Sequence, residues 1–139
     1  MKKIFTLLIF CCLAAQITFA QSQKTFVKSL ATQASTVVLN LDGATNITEW
    51  DEQFIRVTTT IELTNFNEEI LKRLVAVGRY TLETTTKDGV MTVNMPKLAT
   101  KVTIKGQLLN EVLNYEILVP KGITIETSSD YDSNTDTVN

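Results

Sequence analysis

Three carboxylates surround the single tryptophan of the chain: Glu49, Asp51 and Glu52 flank Trp50. An aromatic ring beside acids is typical of a carbohydrate site, where the ring stacks on the sugar and two carboxyl groups act across a cleft, roughly 5 to 9 Å apart. Side chains that follow one another on a strand point in divergent directions, however. Trp50 also precedes Phe54 by four residues, at the start of an apolar strand. We therefore favour packing of Trp50 at the core or its rim.

Acidic and amide side chains alternate near the C-terminus, at Asp130, Asp132, Asn134 and Asp136. This D-x-D-x-N-x-D spacing matches the first oxygen ligands of a calcium loop. The sixth position carries Thr135 where such loops need glycine, and no glutamate follows at position twelve. The pattern favours a solvated acidic tail, and calcium binding remains the alternative.

The composition excludes several kinds of active site. The 139 residues include two cysteines and no histidine, so Ser-His-Asp triads, Cys-His dyads and histidine metal sites cannot form within one copy. We also find no G-x-S-x-G, S-x-x-K or glycine-rich phosphate loop. The sequence thus predicts a protein that is not an enzyme, with no catalytic residue, cofactor or metal site.

The N-terminus has the three parts of a secretory signal peptide. Lys2 and Lys3 precede an apolar run from residue 4 to residue 15, and Thr18-Phe19-Ala20 supplies a small-residue cleavage site. The run is shorter than the roughly 20 residues that span a bilayer. Residues 1–20 are therefore predicted to be removed, which leaves no membrane span and an exported protein: periplasmic, on the cell surface or extracellular.

Signal removal makes the chain more acidic and free of thiols. Cys11 and Cys12 leave with the signal, and 11 basic residues remain against 15 acidic ones, a net charge of −4. Nucleic acid and anionic lipid are then unexpected partners, because basic patches bind both. The only close basic group, Lys72, Arg73 and Arg79, is predicted to be a solvated helix face.

Alternating apolar residues predict a mainly β chain. Apolar side chains occupy almost every odd position from Ile55 to Leu63, and similar alternation recurs at residues 37–41, 113–119 and 123–125. Asp88-Gly89 supplies the positive φ values of a tight hairpin turn. Pro96 and Pro120 are expected to close strands, because proline cannot donate to a β ladder.

One segment is predicted to be helical, about residues 67–77. Asn67 offers an N-cap, and Ile70, Leu74 and Val77 fall at the spacing of an apolar helix stripe. Gly78 then provides the left-handed residue that ends a helix.

The order of these elements resembles a known family. It runs through Leu39–Gly43, Asn46–Asp51, the strand at Ile55, the helix and hairpin, and finally Y-x-I-x-V-P-x-G-I from Tyr115 to Ile123. Over roughly residues 35–127 the chain resembles the N-terminal part of adhesin-like domains of unknown function exported by Gram-negative bacteria, akin to auto-transporter adhesins with a head GIN domain. The resemblance implies a parallel β-solenoid and an adhesive role, with no catalytic residues.

Together these features predict a mainly β fold, solenoid-like or sandwich-like, with one short amphipathic helix. Residues 21–127 form the β-rich domain and 128–139 a polar acidic tail. The predicted function is an exported, non-enzymatic adhesin-like or cell-envelope-associated module that binds a cell-surface protein or glycan. The alternatives are a carbohydrate-active hydrolase using Asp51 and Glu52, or a periplasmic carrier of an apolar ligand. Open sheet edges leave the oligomeric state undecided.

Overall fold

The computed structural model describes residues 22–128, so the predicted signal peptide and the acidic tail beyond Ser128 lie outside the described residues. Within this range the chain forms ten strands, one α-helix and a 3-10 turn. Their bounds are β1 Ser22–Ala31, β2 Thr36–Asn40, β3 Ala44–Trp50, β4 Phe54–Leu63, α1 Glu68–Ala76, β5 Glu83–Lys87, β6 Val90–Asn94, the 3-10 turn Pro96–Ala99, β7 Thr103–Ile104, β8 Gln107–Leu108, β9 Glu111–Pro120 and β10 Thr124–Thr127.

The first sheet has the order β1-β4-β9-β3. The strands β1, β4 and β9 are antiparallel neighbours, whereas β3 runs parallel to β9. The two central strands alternate as predicted: Ile55, Val57 and Ile61 on β4 are fully buried, and Tyr115 and Ile117 on β9 are 1% exposed. Pro120 is the last residue of β9, which confirms its predicted place at a strand end.

The second sheet has the order β10-β2-β6-β5. Here β10, β2 and β6 are parallel, and β5 pairs antiparallel with β6 through the predicted hairpin. Asp88 and Gly89 have φ of 51° and 77°, which are the left-handed values expected for a tight turn at this position. A separate two-stranded ribbon, β7-β8, follows the 3-10 turn.

Side chains from both sheets and the helix share one hydrophobic core. One hydrogen bond connects an edge strand of the first sheet to the segment that leads into an edge strand of the second. Lys28 Nζ on β1 donates to the carbonyl of Leu82, one residue before β5, at 2.7 Å. The other edge strands of the two sheets are β3 in the first and β10 in the second. The prediction of a mainly β fold with one short helix is confirmed, and the solenoid-like alternative stays a prediction.

The helix lies where the sequence places it, but its buried face is different. The side chain of Asn67 accepts from the backbone N–H of Ile70 at 3.2 Å, and Gly78 has φ of 72°, so both predicted ends are confirmed. Leu71 and Leu74 are the buried residues, whereas Val77 is 64% exposed. The prediction that Val77 belongs to the buried stripe was wrong, because the helix ends at Ala76 and Val77 lies just beyond it. Within residues 22–128 no helix is long and apolar enough to span a bilayer.

Candidate binding site

Trp50 packs within the protein, at the end of β3. Its indole Nε1–H donates to the carbonyl of Phe54 at 2.9 Å, and the two rings meet edge to face with centroids 4.8 Å apart. The guanidinium of Arg56 lies over the Trp50 ring, 4.9 Å from its centroid. These contacts stabilise the turn between β3 and β4. The half-buried ring confirms the interpretation that Trp50 packs at the rim of the core.

The acidic neighbours of Trp50 lie on the exposed surface. The carboxylate of Asp51 is 88% exposed and pairs with Lys121 Nζ at 2.6 Å, and Glu52 is also exposed. The ion pair links the β3–β4 turn to the β9–β10 turn. An exposed pair of this kind contributes about 0 to 1 kcal/mol, so it is a weak tether.

A buried polar cluster, formed by Arg79, Tyr80 and Glu111, is the strongest electrostatic feature among the described residues. The guanidinium of Arg79 makes a two-pronged contact with the Glu111 carboxylate, with Nε and Nη2 donating at 2.8 and 2.7 Å. The phenol of Tyr80 donates to the same carboxylate at 2.5 Å. Arg79 Nη1 donates to the carbonyls of Lys97 and Thr100 at 2.9 and 3.1 Å. The Arg79 guanidinium thereby joins its own segment to two others, residues 97–100 and the start of β9 at Glu111.

The assignment of Arg79 to a solvated helix face was wrong. Lys72 and Arg73 are exposed on α1, but Arg79 lies after the helix and is only 6% exposed. Its hydrogen bonds to Glu111 raise the pKa of Arg79, and burial, followed by the hydrogen bond to Glu111, raises the pKa of Tyr80. Both groups therefore keep their protons at neutral pH and act as donors to Glu111. Four of the five N–H donors of Arg79 and the O–H of Tyr80 are used in hydrogen bonds within the protein, so we interpret the role of the cluster as structural.

A surface groove of about 410 Å³ lies beside the first residues of β9. β3 begins only at Ala44, opposite Asn114, so within the described chain residues 111–113 of β9 have no strand on that side. The groove fills this gap. Its other walls are the β2–β3 turn at Asp42 and the 3-10 turn at Leu98. We call it the Asp42–Asn114 groove.

Polar and apolar groups alternate around this groove. Asp42, Asn110 and Asn114 are exposed at its rim, and the apolar lining comes from Val112, which is 41% exposed, and from the partly buried Leu98. A second groove of about 260 Å³ shares Asp42 and Leu98 with the first and adds polar and apolar lining residues, among them Asn40, Asn94 and Met95. The two grooves therefore adjoin across one carboxylate.

Gly43 is the residue that allows the β2–β3 turn to close against β9. Its φ is 144°, and a Cβ at this position would clash with the backbone carbonyl of Leu113. A side chain would also crowd the Tyr115 ring, which lies 3.1 Å from the same point. Only glycine combines this φ with so close an approach. The sequence analysis missed the groove, because its lining comes from three separated segments; Asp42-Gly43 was the one local signal.

The predicted calcium ligands of the acidic tail lie beyond the residues that the structure describes. Asp130, Asp132, Asn134 and Asp136 lie outside residues 22–128, so calcium binding by the tail stays a hypothesis. Within the described residues, no three of the Asp, Glu, Cys or His side chains form a group that could hold a metal ion.

Comparison of the chain with protein-family models, curated proteins and solved structures finds no match. The similarity to exported adhesin-like domains therefore stays a prediction from the sequence. The site's own geometry is the basis for any proposal about function.

Proposed function

We propose that this chain is an exported, non-enzymatic recognition module, adhesin-like or associated with the cell envelope, that binds a glycan in the Asp42–Asn114 groove. The observation that carries the proposal is the lining of that groove, in which a carboxylate and two amides flank apolar side chains. The adhesin-like resemblance and the signal-peptide pattern of residues 1–20 support the same role.

A glycan matches this lining on both its polar and its apolar surfaces. Its hydroxyls both donate and accept hydrogen bonds; the Asp42 carboxylate accepts, and each asparagine amide does both. The C–H faces of a sugar ring need apolar area, which the exposed Val112 and the partly buried Leu98 supply. Binding sites of small ligands usually combine such apolar patches with a few placed polar groups. The shallow position of the groove suits the end or side of an extended chain of sugars.

The hydrolase alternative has less support than glycan binding. The side chain of its proposed acid Asp51 is 88% exposed and already paired with Lys121, whereas the two carboxyl groups of a glycosidase face each other across a cleft. The carrier alternative is tested by native mass spectrometry of the purified protein, where a copurified lipid would support it.

Glycan binding is tested with the purified exported protein on an array of bacterial and host glycans, with affinities measured for any ligand retained. Asp42→Asn and Asn114→Ala should each weaken binding by about tenfold, the effect of about 1.4 kcal/mol. Matched controls are Asp51→Asn and Gln53→Ala, which change the same kinds of exposed side chain outside the groove.

Two results would overturn the proposal. One is a protein that retains no glycan on the array; the other is an equal loss of binding in the groove variants and the controls. Turnover of an array glycan that is abolished by Asp51→Asn would instead establish the hydrolase.

A further inference from the structure

The edge strand β3 is exposed over almost its whole length. Six of its seven residues are exposed and the seventh, Trp50, is half-buried. One side of β3 pairs with β9, and in the described chain no strand pairs with the other. Natural proteins guard such edges with lysine, proline or a bulge. β3 has the sequence Ala-Thr-Asn-Ile-Thr-Glu-Trp and carries neither lysine nor proline.

Two other edge strands, β1 in the first sheet and β5 in the second, are guarded. β1 carries Lys24 and Lys28, of which Lys28 reaches across to the carbonyl of Leu82. β5 consists of Glu83, three threonines and Lys87. Charged side chains on these strands oppose pairing with another chain. Among the edge strands of the two four-stranded sheets in the described residues, β3 and the four-residue β10 therefore carry neither lysine nor proline, and β3 is the longer of the two.

Apolar side chains on or next to the edge strands β3 and β10 are incompletely covered. Ile47, at the middle of β3, is 37% exposed and pairs in register with the buried Ile117. Ile123 and Ile125, next to and on the edge strand β10, pack against the core but are only partly buried, as is Leu41 between β2 and β3. An added strand beside β3 would extend the first sheet beyond Ile47.

We propose that a second copy of this chain docks here, with the two β3 strands pairing antiparallel about a two-fold axis at Ile47. Ile47 then lies opposite the same residue of the second copy, which joins the two partly exposed isoleucines. Asn46 lies opposite Thr48, and Thr45 lies opposite Glu49. The two four-stranded sheets become one continuous eight-stranded sheet, and the interface is isologous, as in most homodimers.

Avoidance of like-charge repulsion favours this arrangement over a parallel one. Glu49 is the only charged residue of β3. Antiparallel pairing about Ile47 places Glu49 opposite the neutral Thr45, so no like charges face each other directly. Parallel pairing in register would place Glu49 opposite Glu49, which is destabilising. The strand is thus complementary to itself in one direction only.

The first test is the molar mass of the exported protein as a function of concentration, by analytical ultracentrifugation. We expect a reversible monomer–dimer equilibrium. Ile47→Lys should weaken dimerisation at least about tenfold, because it places two like charges opposite each other at the axis. Val27→Lys is the matched control: Val27 is 62% exposed on the other edge of the same sheet. This control should leave the dimer unchanged.

The second test fixes the register by disulfide trapping, which is clean because the chain has no cysteine after residue 12. Ile47→Cys should form a disulfide-linked dimer with itself on oxidation. Asn46→Cys and Thr48→Cys should each form little dimer alone but should link efficiently when mixed. Self-linking by all three variants would indicate parallel pairing and would overturn the proposed axis.

Three other outcomes also count against the proposal. A protein that stays monomeric at all concentrations has no such interface, and a dimer unaffected by Ile47→Lys uses another surface. If dimers form only after residues 129–139 are deleted, the occupant of the β3 edge is the chain's own C-terminal segment. The glycan array separates these failures from those of the proposed function, because Ile47 does not line the groove.

Discussion

Glu111 is the residue on which the buried hydrogen bonds of the polar cluster converge. Its carboxylate accepts from two nitrogens of Arg79 and from the phenol of Tyr80. The same residue begins β9 and lines the Asp42–Asn114 groove. Because its oxygens are already bonded inside the protein, Glu111 fixes the groove wall and leaves ligand contact to Asp42 and the asparagines.

Replacing Glu111 should therefore act on stability. Glu111→Gln leaves the Arg79 charge buried without a counter-charge, and breaking a buried pair in this way costs about 3 to 5 kcal/mol. We expect a loss near the lower end, measured as the free energy of unfolding in urea. Asp51→Asn, which breaks the exposed pair with Lys121, serves as the comparison and should cost about 0 to 1 kcal/mol. Similar losses in the two variants would contradict the structural role of the cluster.

Two buried tyrosines should make the protein less stable in alkali. Burial is the main cause that raises the pKa of both Tyr80 and Tyr115 above the ordinary value of 10.0. Each phenol thus loses its proton more readily in the unfolded chain. The stability they contribute is fully present below pH 10 and falls as pH rises further, by about 1.4 kcal/mol per pH unit for each group.

Urea unfolding measured from about pH 8 to about pH 11 tests this slope. Tyr115→Phe is the useful variant, because the Tyr115 hydroxyl makes only a long contact, 3.5 Å, with the Asp42 carbonyl. The variant should show a shallower fall above pH 10 than the natural protein. Identical slopes in the two proteins would show that Tyr115 ionises normally.

The β2–β3 turn is the element that shapes the groove, and it depends on Gly43. Gly43→Ala should lower the free energy of unfolding and weaken glycan binding, because the new Cβ would clash with the Leu113 carbonyl. Gly122→Ala is the matched control: Gly122 also has positive φ, 84°, but a Cβ there meets nothing within 4 Å. The control should cost only about 1 kcal/mol for its backbone strain. Equal costs would mean that the β2–β3 turn can shift away from β9.

The central strands of the first sheet could be predicted from the sequence, whereas its edge strands, β1 and β3, could not. β4 and β9 bury every second side chain, so Ile55, Val57 and Ile117 give a clear period of two. β1 buries only Ser22 and Leu30 and half-buries Phe26, and the positions between them on the same strand face are lysines, so no apolar alternation indicates the strand. β3 is exposed on both faces and shows no apolar period. Pairing partners, not their own side chains, hold these edge strands in place.

The candidate sites also differ in whether the sequence could predict them. The packing of Trp50 could be predicted because Phe54 lies four residues away. The cluster of Arg79 with Glu111 joins residues 32 positions apart, and no local spacing indicates it. The groove also needs the register between β3 and β9, which only the folded sheet defines.

At the scale of the whole molecule, the signal-peptide prediction has a simple test. Expressed with its natural N-terminus in a Gram-negative host, the protein should be recovered from the periplasm or medium, with the intact mass of residues 21–139. Because Cys11 and Cys12 lie in the predicted signal, the exported form should not react with a thiol reagent. A cytoplasmic product that retains both thiols would contradict the prediction of export.

The position of β9 has a consequence for how the chain folds. β9 lies between β4 and β3 at the centre of the first sheet, and β10 pairs with β2 in the second. Each sheet thus needs one strand that is synthesised after the strands it pairs with. The same order holds if the chain crosses a membrane with its N-terminus first. Closing such distant pairs is entropically costly and slow. The emerging chain should therefore stay unfolded until β9 and β10 arrive, and until then its apolar strands need protection from aggregation.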